Sequence, residues 1–567
     1  MPDKYIVTSA LPYVNGVKHL GNLIGSLLPA DIHARFLRFQ GEDVLAVCGT
    51  DEHGTPCELA ALEEGLPVAE YSRKYHEKQK AIYQGFGLSF DYFGRTSSPQ
   101  NHQMTQRLFL RLREHDLISE RTTKHLYCLD DQRFLPDRFV IGACPHCGYE
   151  RARGDQCENC TTLLNPEDLV NPRSSISGST RIEVRESKHL FLDLPKMAGR
   201  LEEWLKTKDH WPKTTISIAW KWLNEGLRER CITRDLEWGI KVPMAGYEDK
   251  VFYVWFDAPI GYIGISMEWA AAQGDETAWE RYWKDPDTKL IQFMAKDNVP
   301  FHTITWPAVM MGADDGFVLA HMIKGFQWLN YEGGKFSTSQ NRGVFTDDAL
   351  DLFPADYWRY YLVKIAPEKG DTDFTWQGFM EGVNKDLADV LGNFVHRTLT
   401  FAKKYFNGTV PKGEGLSQRD QDVRAFVGKT RAAVIERLGE CRYQLALREL
   451  RDLWDECNRY FDDKQPWHTR KEEGPTTGNT LSTCIHLARS AAILSAPFIP
   501  FTATEIFRQL GIEEDVHSLR WNQVEDWECL VGKAICDKPT PLFTKIEQET
   551  VDALAKRYAG GEGQKEE

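Results

Sequence analysis

The sequence predicts a doubly wound, parallel-sheet α/β domain of the Rossmann type, interrupted by a cysteine-knuckle insertion and followed by an α-helical bundle. Three observations predict it. Short β-branched runs alternate with helix-like segments both before residue 116 and between residues 231 and 325. Four cysteines fall at Cys-x2-Cys-x9-Cys-x2-Cys spacing between Cys144 and Cys160. Beyond Trp376 the apolar residues recur every three or four positions for about 160 residues, the size of an independent domain.

The first element is a buried strand over Tyr5–Thr8. Small, turn-forming residues follow, and then a helix carrying Leu23, Leu27, Ile32 and Phe36. A strand, a glycine-bearing loop and a helix start expose unpaired backbone N–H groups, a ready site for an anion. His19 and Asn22, three apart, place two donors on one face of the first turn, and Gly21 admits a flat group close to the backbone. A capped helix with a surface histidine explains the same spelling equally well. A second strand, Asp43–Gly49, ends at Thr50-Asp51-Glu52-His53-Gly54, where an open parallel sheet keeps its ligands; an ordinary polar loop is the competing reading. Lys74–Tyr92 and Gln103–Asp116 read as helices.

From Leu117 the pattern breaks into short pieces. Cys144, Cys147, Cys157 and Cys160 suit one structural zinc ion held tetrahedrally, with Gly148 and Gly154 permitting tight turns. Two disulfides are the rival. The 13 cysteines, an odd and mostly scattered set, favour reduced thiols and a cytoplasmic chain. The α/β pattern returns at Val251–Tyr262 and Lys289–Met294, the latter leading into Asp297, Phe301 and His302. A loop rich in glycine, hydroxyls and cations follows, Gly333-Gly-Lys335-Phe-Ser337-Thr338-Ser339-Gln-Asn-Arg342-Gly343. Such a loop can close over a polyphosphate, or be merely solvated. The helical stripes are Val383, Leu387, Val390, Phe394 and Phe401, with some slippage of the period; Val423, Phe426, Val434 and Leu438; Tyr443–Phe461; and Leu481–Leu494. The expected boundaries are 1–116 and 231–325 for the two halves of the α/β domain, 117–230 for the insertion, 326–378 for a linker bearing the basic loop, 379–543 for the bundle, and 544–567 for a helix with a disordered tail from Gly560.

Composition limits the function. At 42% hydrophobic residues the chain is globular, and no apolar run approaches the roughly 20 residues of a membrane span. The net charge of −14 disfavours nucleic acid, but residues 381–470 hold 16 Lys/Arg against 14 Asp/Glu, so the bundle escapes that argument.

His19-Leu-Gly-Asn22, followed some three hundred residues later by Lys335-Phe-Ser-Thr-Ser339, resembles the paired signature of class I aminoacyl-tRNA synthetases. Ala10-Leu-Pro-Tyr13, Gly49–Pro56, Tyr253–Gly261, Lys296-Asp297, Phe301-His302 and Trp306-Pro307 are similar to the methionyl-tRNA synthetase family in particular, and the likeness runs from Tyr5 to about Phe543. The resemblance implies ATP-dependent activation of L-methionine and its transfer to tRNA(Met), initiator included, by a monomer without a membrane partner. It implies that His19, Asn22 and Lys335 are catalytic, and that Gly21, Asp297, Ser337, Thr338 and Arg342 join Lys335 in binding ATP with Mg²⁺. Leu11, Tyr13, Asp51, Trp255, Ala258, Pro259, Tyr262, Phe301 and His302 would hold methionine, whose soft thioether packs well on aromatic rings. Asn393, Arg397 and Trp467 would read the anticodon by stacking and base-edge contacts. Two departures stand out. Thr338 replaces the family's second loop lysine, so Lys335 and Arg342 are expected to carry its role, and serines at 174 and 177 stand where relatives carry a second knuckle, so one zinc is expected. A different class I synthetase, or a non-catalytic tRNA-binding paralogue, are the alternatives.

Overall fold

The computed structural model describes residues 2–154, 157, 159–160, 162, 164–337, 340–471 and 475–561. Thr338 and Ser339 of the basic loop, and 562–567 of the expected tail, lie outside the described residues.

Five parallel strands form the central sheet: Lys4–Ser9 (β1), Asp43–Thr50 (β2), Tyr92–Arg95 (β3), Lys289–Ala295 (β4) and Ala320–Phe326 (β5), in the order β5-β4-β1-β2-β3. Val7 lies in register with Ile291 on one side and Ala46 on the other. Helices cover both faces, which is why β1 and β2 read as continuous apolar runs: Ile6, Val7, Leu45, Ala46 and Val47 are all wholly buried. Strand order reverses between β1 and β4, so the loops leaving their C-terminal ends part and open a crevice. The expected helix over Lys74–Tyr92 is corrected here. The helix is Val68–Gly85, Gly87 takes a left-handed turn at φ +72°, and Tyr92 already belongs to the edge strand β3.

The insertion is a long antiparallel pair, Ile118–Cys128 against Ile182–Leu192, running in unbroken register from Ile118↔Leu192 to Cys128↔Ile182. At its far end a small sheet of Val140–Ala143, Ala152–Arg153 and Val170–Ser174 carries the cysteines. Ion pairs Arg133–Glu58 (3.0 Å) and Arg234–Asp137 (3.2 Å) tie it back to the α/β domain.

The bundle packs Asn393–Phe406, Gln418–Gly439, Tyr443–Lys464 and Thr476–Ser495 around a core that includes Leu399, Val434, Leu450, Trp454, Cys457 and Leu487. The slipped period has a cause: Gly382–Gly392 is wound as a π-helix, whose wider turn rotates the buried face so that Leu391 is wholly buried and Val390 only partly. Arg359 locks the domains together. Wholly buried, it donates to Asp31 (2.7 Å) under the α/β sheet, to the Phe86 carbonyl (3.1 Å), and to the Pro497 and Phe498 carbonyls of the bundle (2.7 and 2.9 Å). A buried guanidinium with that many directed partners fixes orientation as well as contact.

The C-terminal helix, Gln548–Arg557, returns to the basic loop. The Tyr558 carbonyl accepts from Gly343 N–H (3.1 Å), and a side chain at Gly560, whose φ is +76°, would come within 2.7 Å of Arg342 Cβ. Gly560 is therefore packed against the loop, not the start of a loose tail as its glycine-rich spelling suggested.

Candidate active site

Between the segment that follows β1, the helix that follows β2, the insertion and the basic loop lies a cavity of about 1140 Å³ whose walls include Tyr13, Lys18, His19, Asn22, Arg138, Arg153, Lys335, Ser337 and Arg342. The turn Leu20–Asn22 begins with a capping box. The Gly21 N–H donates to His19 Nδ1 (3.1 Å), and the His19 N–H donates to Asn22 Oδ1 (3.3 Å). Two consequences follow. With Nδ1 accepting, the imidazole keeps its proton on Nε2, and with Oδ1 accepting, the Asn22 amide keeps both its N–H donors. Burial, and secondarily the neighbouring Lys18, hold the His19 pKa down to about 3, so the ring is a neutral donor at physiological pH. The imidazole also fills the space a side chain at Gly21 would need, 2.9 Å from its built Cβ.

The basic loop is stitched to this turn. Leu20 N–H donates to the Val344 carbonyl (3.2 Å) and Thr346 N–H to the Lys18 carbonyl (2.8 Å), while Phe336 stacks on His19 with centroids 4.5 Å apart. Ser337 and Arg342 exchange backbone hydrogen bonds (2.9 and 3.0 Å), closing the loop's neck. The Arg342 guanidinium is spent on carbonyls: Nη2 on Tyr331 (3.0 Å) and Glu332 (3.1 Å), Nη1 on Ala559 (2.8 Å). Lys335 is exposed on the cavity wall. Asp297 is exposed on the turn that follows β4.

The residues expected to hold methionine stand on four elements: the segment after β1 (Leu11, Tyr13), the end of β2 (Asp51), the Val254–Ala272 helix (Trp255, Ala258, Pro259, Tyr262) and the π-helical turn after β4 (Phe301, His302). Trp255 stacks on Phe301 with centroids 4.0 Å apart and meets Tyr13 edge-on at 6.3 Å. His302 Nδ1 donates to the Asn298 carbonyl (2.9 Å), leaving Nε2 to accept from the Tyr262 hydroxyl (2.9 Å). Burial lowers the His302 pKa to about 4, so this pair stays neutral. Glycine at 261 makes room for Leu11, whose Cδ1 lies 3.2 Å from the built Cβ. Asp51 is 2% exposed and its Oδ1 has no hydrogen-bond partner. Burial first, and the nearby Asp257 second, push its pKa well above the usual carboxylate range. A buried, unpaired carboxylate under aromatic walls is a cradle for an ammonium group.

Sequence reasoning passed over several residues at this site. Lys18 lines the cavity, and a cation directly before His19 was the available signal. The His53–Asp257 pair (2.7 Å), buried behind Asp51, had none, because 204 residues separate the partners.

The four cysteine sulfurs lie within 4.8 Å of one another, with Cys144–Cys160 at 3.7 Å and Cys147–Cys157 at 3.6 Å. All are free thiols. Four thiolates about 2.3 Å from a tetrahedral zinc ion stand about 3.8 Å apart, so the set fits such an ion far better than two disulfides. Where the second knuckle was expected to be missing, Ser174, Ser177 and Cys128 surround Asp131: Ser174 Oγ donates to the carboxylate, Asp131 N–H meets Cys128 Sγ at 3.5 Å, and Ser177 N–H meets Ser174 Oγ at 3.4 Å. Hydrogen bonds hold this turn in place.

On the bundle, Asn393 is exposed at the head of its helix. Arg397 pairs with Asp462 (2.7 Å) and lies over the Phe461 ring (4.5 Å), against which half-buried Trp467 also packs at 6.0 Å. Arg397 and Trp467 thus meet around Phe461, and Asn393 stands one helical turn before Arg397.

Residues 5–399 match the family described as tRNA synthetases class I (M), and residues 410–563 match the anticodon binding domain of methionyl tRNA ligase. The chain belongs to the methionyl-tRNA synthetase family. It is 50% identical over 558 residues to methionine–tRNA ligase 1 of Acaryochloris marina, covering 98% of this chain and all of that one, and 47% identical to methionine–tRNA ligase of Streptomyces avermitilis, covering 98% and 99%. The Mycobacterium tuberculosis methionyl-tRNA synthetase in complex with methionyl-adenylate has the same fold, with a TM-score of 0.76 at 25% identity over 95% of this chain and 99% of that one. Methionyl-tRNA synthetases thus share this chain's whole length, catalytic half and bundle alike. Among the described residues no helix is long and apolar enough to cross a membrane.

Proposed function

We infer that the chain is a methionine–tRNA ligase, which activates L-methionine with MgATP and transfers it to the 3′-terminal adenosine of tRNA(Met). The observation that carries the reading is the orphaned Asp51 oxygen, buried beneath the Tyr13–Trp255–Phe301 rings and beside a cation-lined cavity of triphosphate size. Asp51 takes the methionine ammonium, and the rings take its thioether. The substrate carboxylate attacks the α-phosphate in line, releasing pyrophosphate. His19 Nε2–H and the Asn22 amide donate to the phosphate oxygens as negative charge builds there. Both are preorganised by the capping box, so no side chain reorganises at the moment of reaction. Lys335 approaches the phosphates from the loop, while Arg342, engaged with three carbonyls, maintains the loop's shape. No protein nucleophile is required. Asp297 holds the ribose and Gly21 lies under the adenine. Ser337 and Thr338 add hydroxyls to the loop.

Zinc bound by Cys144, Cys147, Cys157 and Cys160 would stabilise the insertion and enter no step. Asn393, Arg397 and Trp467 read the tRNA, initiator as well as elongator, since their shared surface offers an amide, a guanidinium and a ring to single-stranded bases. The enzyme acts as a cytoplasmic monomer.

The test is amino-acid-dependent ATP–pyrophosphate exchange over a panel of amino acids. Methionine should support exchange far above isoleucine, valine, leucine and cysteine; equal exchange with another amino acid, or none with any, defeats the reading.

A further inference from the structure

A triphosphate brought into the cavity carries about four negative charges, and the cations that meet it decide how it is held. The guanidinium of Arg342 points at carbonyls, and Lys335 stands on an exposed loop. Lys18 differs from both. It directly precedes His19, and its carbonyl is clamped by Thr346 N–H (2.8 Å), so its backbone is fixed to the catalytic turn and to the loop's downstream arm together. Its Nζ donates to Asn15 Oδ1 (2.6 Å), and no carboxylate among the described residues forms an ion pair with it. The ammonium lines the cavity, close enough to Asp51 to feel its charge, yet unpaired.

We propose that Lys18 is a phosphate-binding residue of the activation step: its ammonium contacts the ATP triphosphate in the cavity that Lys335 also lines. The proposal rests on the activity inferred above. Several features support it. A half-buried ammonium without a counter-ion is a standing cost in the free enzyme, recovered when an anion arrives. Burial draws its pKa down to about 7, the behaviour of a cation lacking an anionic partner, and a bound triphosphate would restore its charge. The loop carries threonine at 338, three residues after Lys335, so a second lysine for the phosphates is supplied by the turn before His19. Lys18 also lies within electrostatic reach of both Asp51 and His19, so it can shield the incoming carboxylate from the phosphate it attacks.

Lys18→Met, which keeps the methylene stem and removes the charge, is the variant to compare with wild type. The expected result is a fall of roughly 100-fold in kcat/KM for MgATP in pyrophosphate exchange, with the methionine KM within threefold of wild type, and Lys18→Arg recovering at least tenfold. Calorimetric binding of inorganic tripolyphosphate, which needs no methionine chemistry, should weaken at least tenfold in Lys18→Met at an unchanged unfolding midpoint. Unaltered tripolyphosphate binding, or a methionine KM that rises as much as that for ATP, overturns the assignment and leaves Lys18 as a partner of Asp51. A wild-type enzyme that binds tripolyphosphate through Lys18 but exchanges nothing would instead count against the activity.

Discussion

Replacing Asp51 with asparagine should move activity and stability in opposite directions. The Oδ1 atom is buried without a partner in the free enzyme, and Asp257 lies near enough to raise the charge's cost further. An unsatisfied buried group of this kind costs the fold roughly 1–3 kcal/mol. Asparagine keeps the shape and still leaves a polar atom without a partner, but it removes the charge. Only the charge's share of that cost is recovered, so the α/β domain should unfold slightly higher, at about 2–4 °C per kcal/mol. Methionine loses its charged partner. Removing one side of a buried charge pair typically costs about 2–5 kcal/mol, which is a fall of roughly 30-fold to several thousand-fold in kcat/KM for methionine. The KM for ATP should stay within a few-fold, because the triphosphate meets other residues. Pyrophosphate exchange at varied methionine, paired with thermal unfolding, reads both quantities. A variant that loses stability together with activity would show Asp51 to be a structural residue, and one that keeps kcat/KM within threefold would remove it from the methionine site.

Three further outcomes follow from the same geometry. Metal analysis should find one zinc per chain, and Asp131→Cys/Ser174→Cys/Ser177→Cys, completing a set with Cys128, should raise it to two; two in the wild type would refute the single-site reading. Asn393→Ala and Trp467→Ala should leave pyrophosphate exchange within twofold but lower tRNA charging by at least tenfold, and equal loss of both activities would rule out a pure tRNA role. Acid should destabilise the enzyme through its buried histidines. His33 and His302, each 2% exposed, have folded pKa values lowered by burial to about 3 and about 4, so the unfolded state, near 6.5, binds protons first as pH falls. Their contribution is complete above pH 6.5 and is lost toward pH 4, about 2 kcal/mol each by pH 5. An unfolding midpoint that does not move between pH 7.5 and 5 would contradict this.

The strands at Tyr5, Asp43 and Lys289, the four-cysteine knuckle and the helical stripes were legible because each is a local pattern imposed by burial or by a ligand. Period-2 and period-3.6 signals survive in sequence for that reason. The elements misread were those where local spelling competes with distant packing. Tyr92 looked helical until β3 found its place beside β2, and Gly560 looked like a loose tail until Arg342 filled the space above it. The slip in the bundle's first stripe was visible, but only the π-helical turn at Gly382–Gly392 explains it.

The same division holds at the site. From sequence alone, His19, Asn22, Asp51, Trp255, His302 and Lys335 were marked as belonging to one chemistry by the motifs they share with the methionyl-tRNA synthetase family. Tertiary structure decided their states. A hydrogen bond from Gly21 chooses the His19 tautomer, and burial leaves Asp51 Oδ1 without a partner. Three carbonyls occupy Arg342 and leave Lys18 facing the cavity unpaired. These depend on contacts between residues up to hundreds of positions apart, which a linear pattern does not carry. Composition and spacing determine which groups a chain owns; desolvation and hydrogen bonding, set only when the fold closes, determine which of them are charged, oriented and free to act.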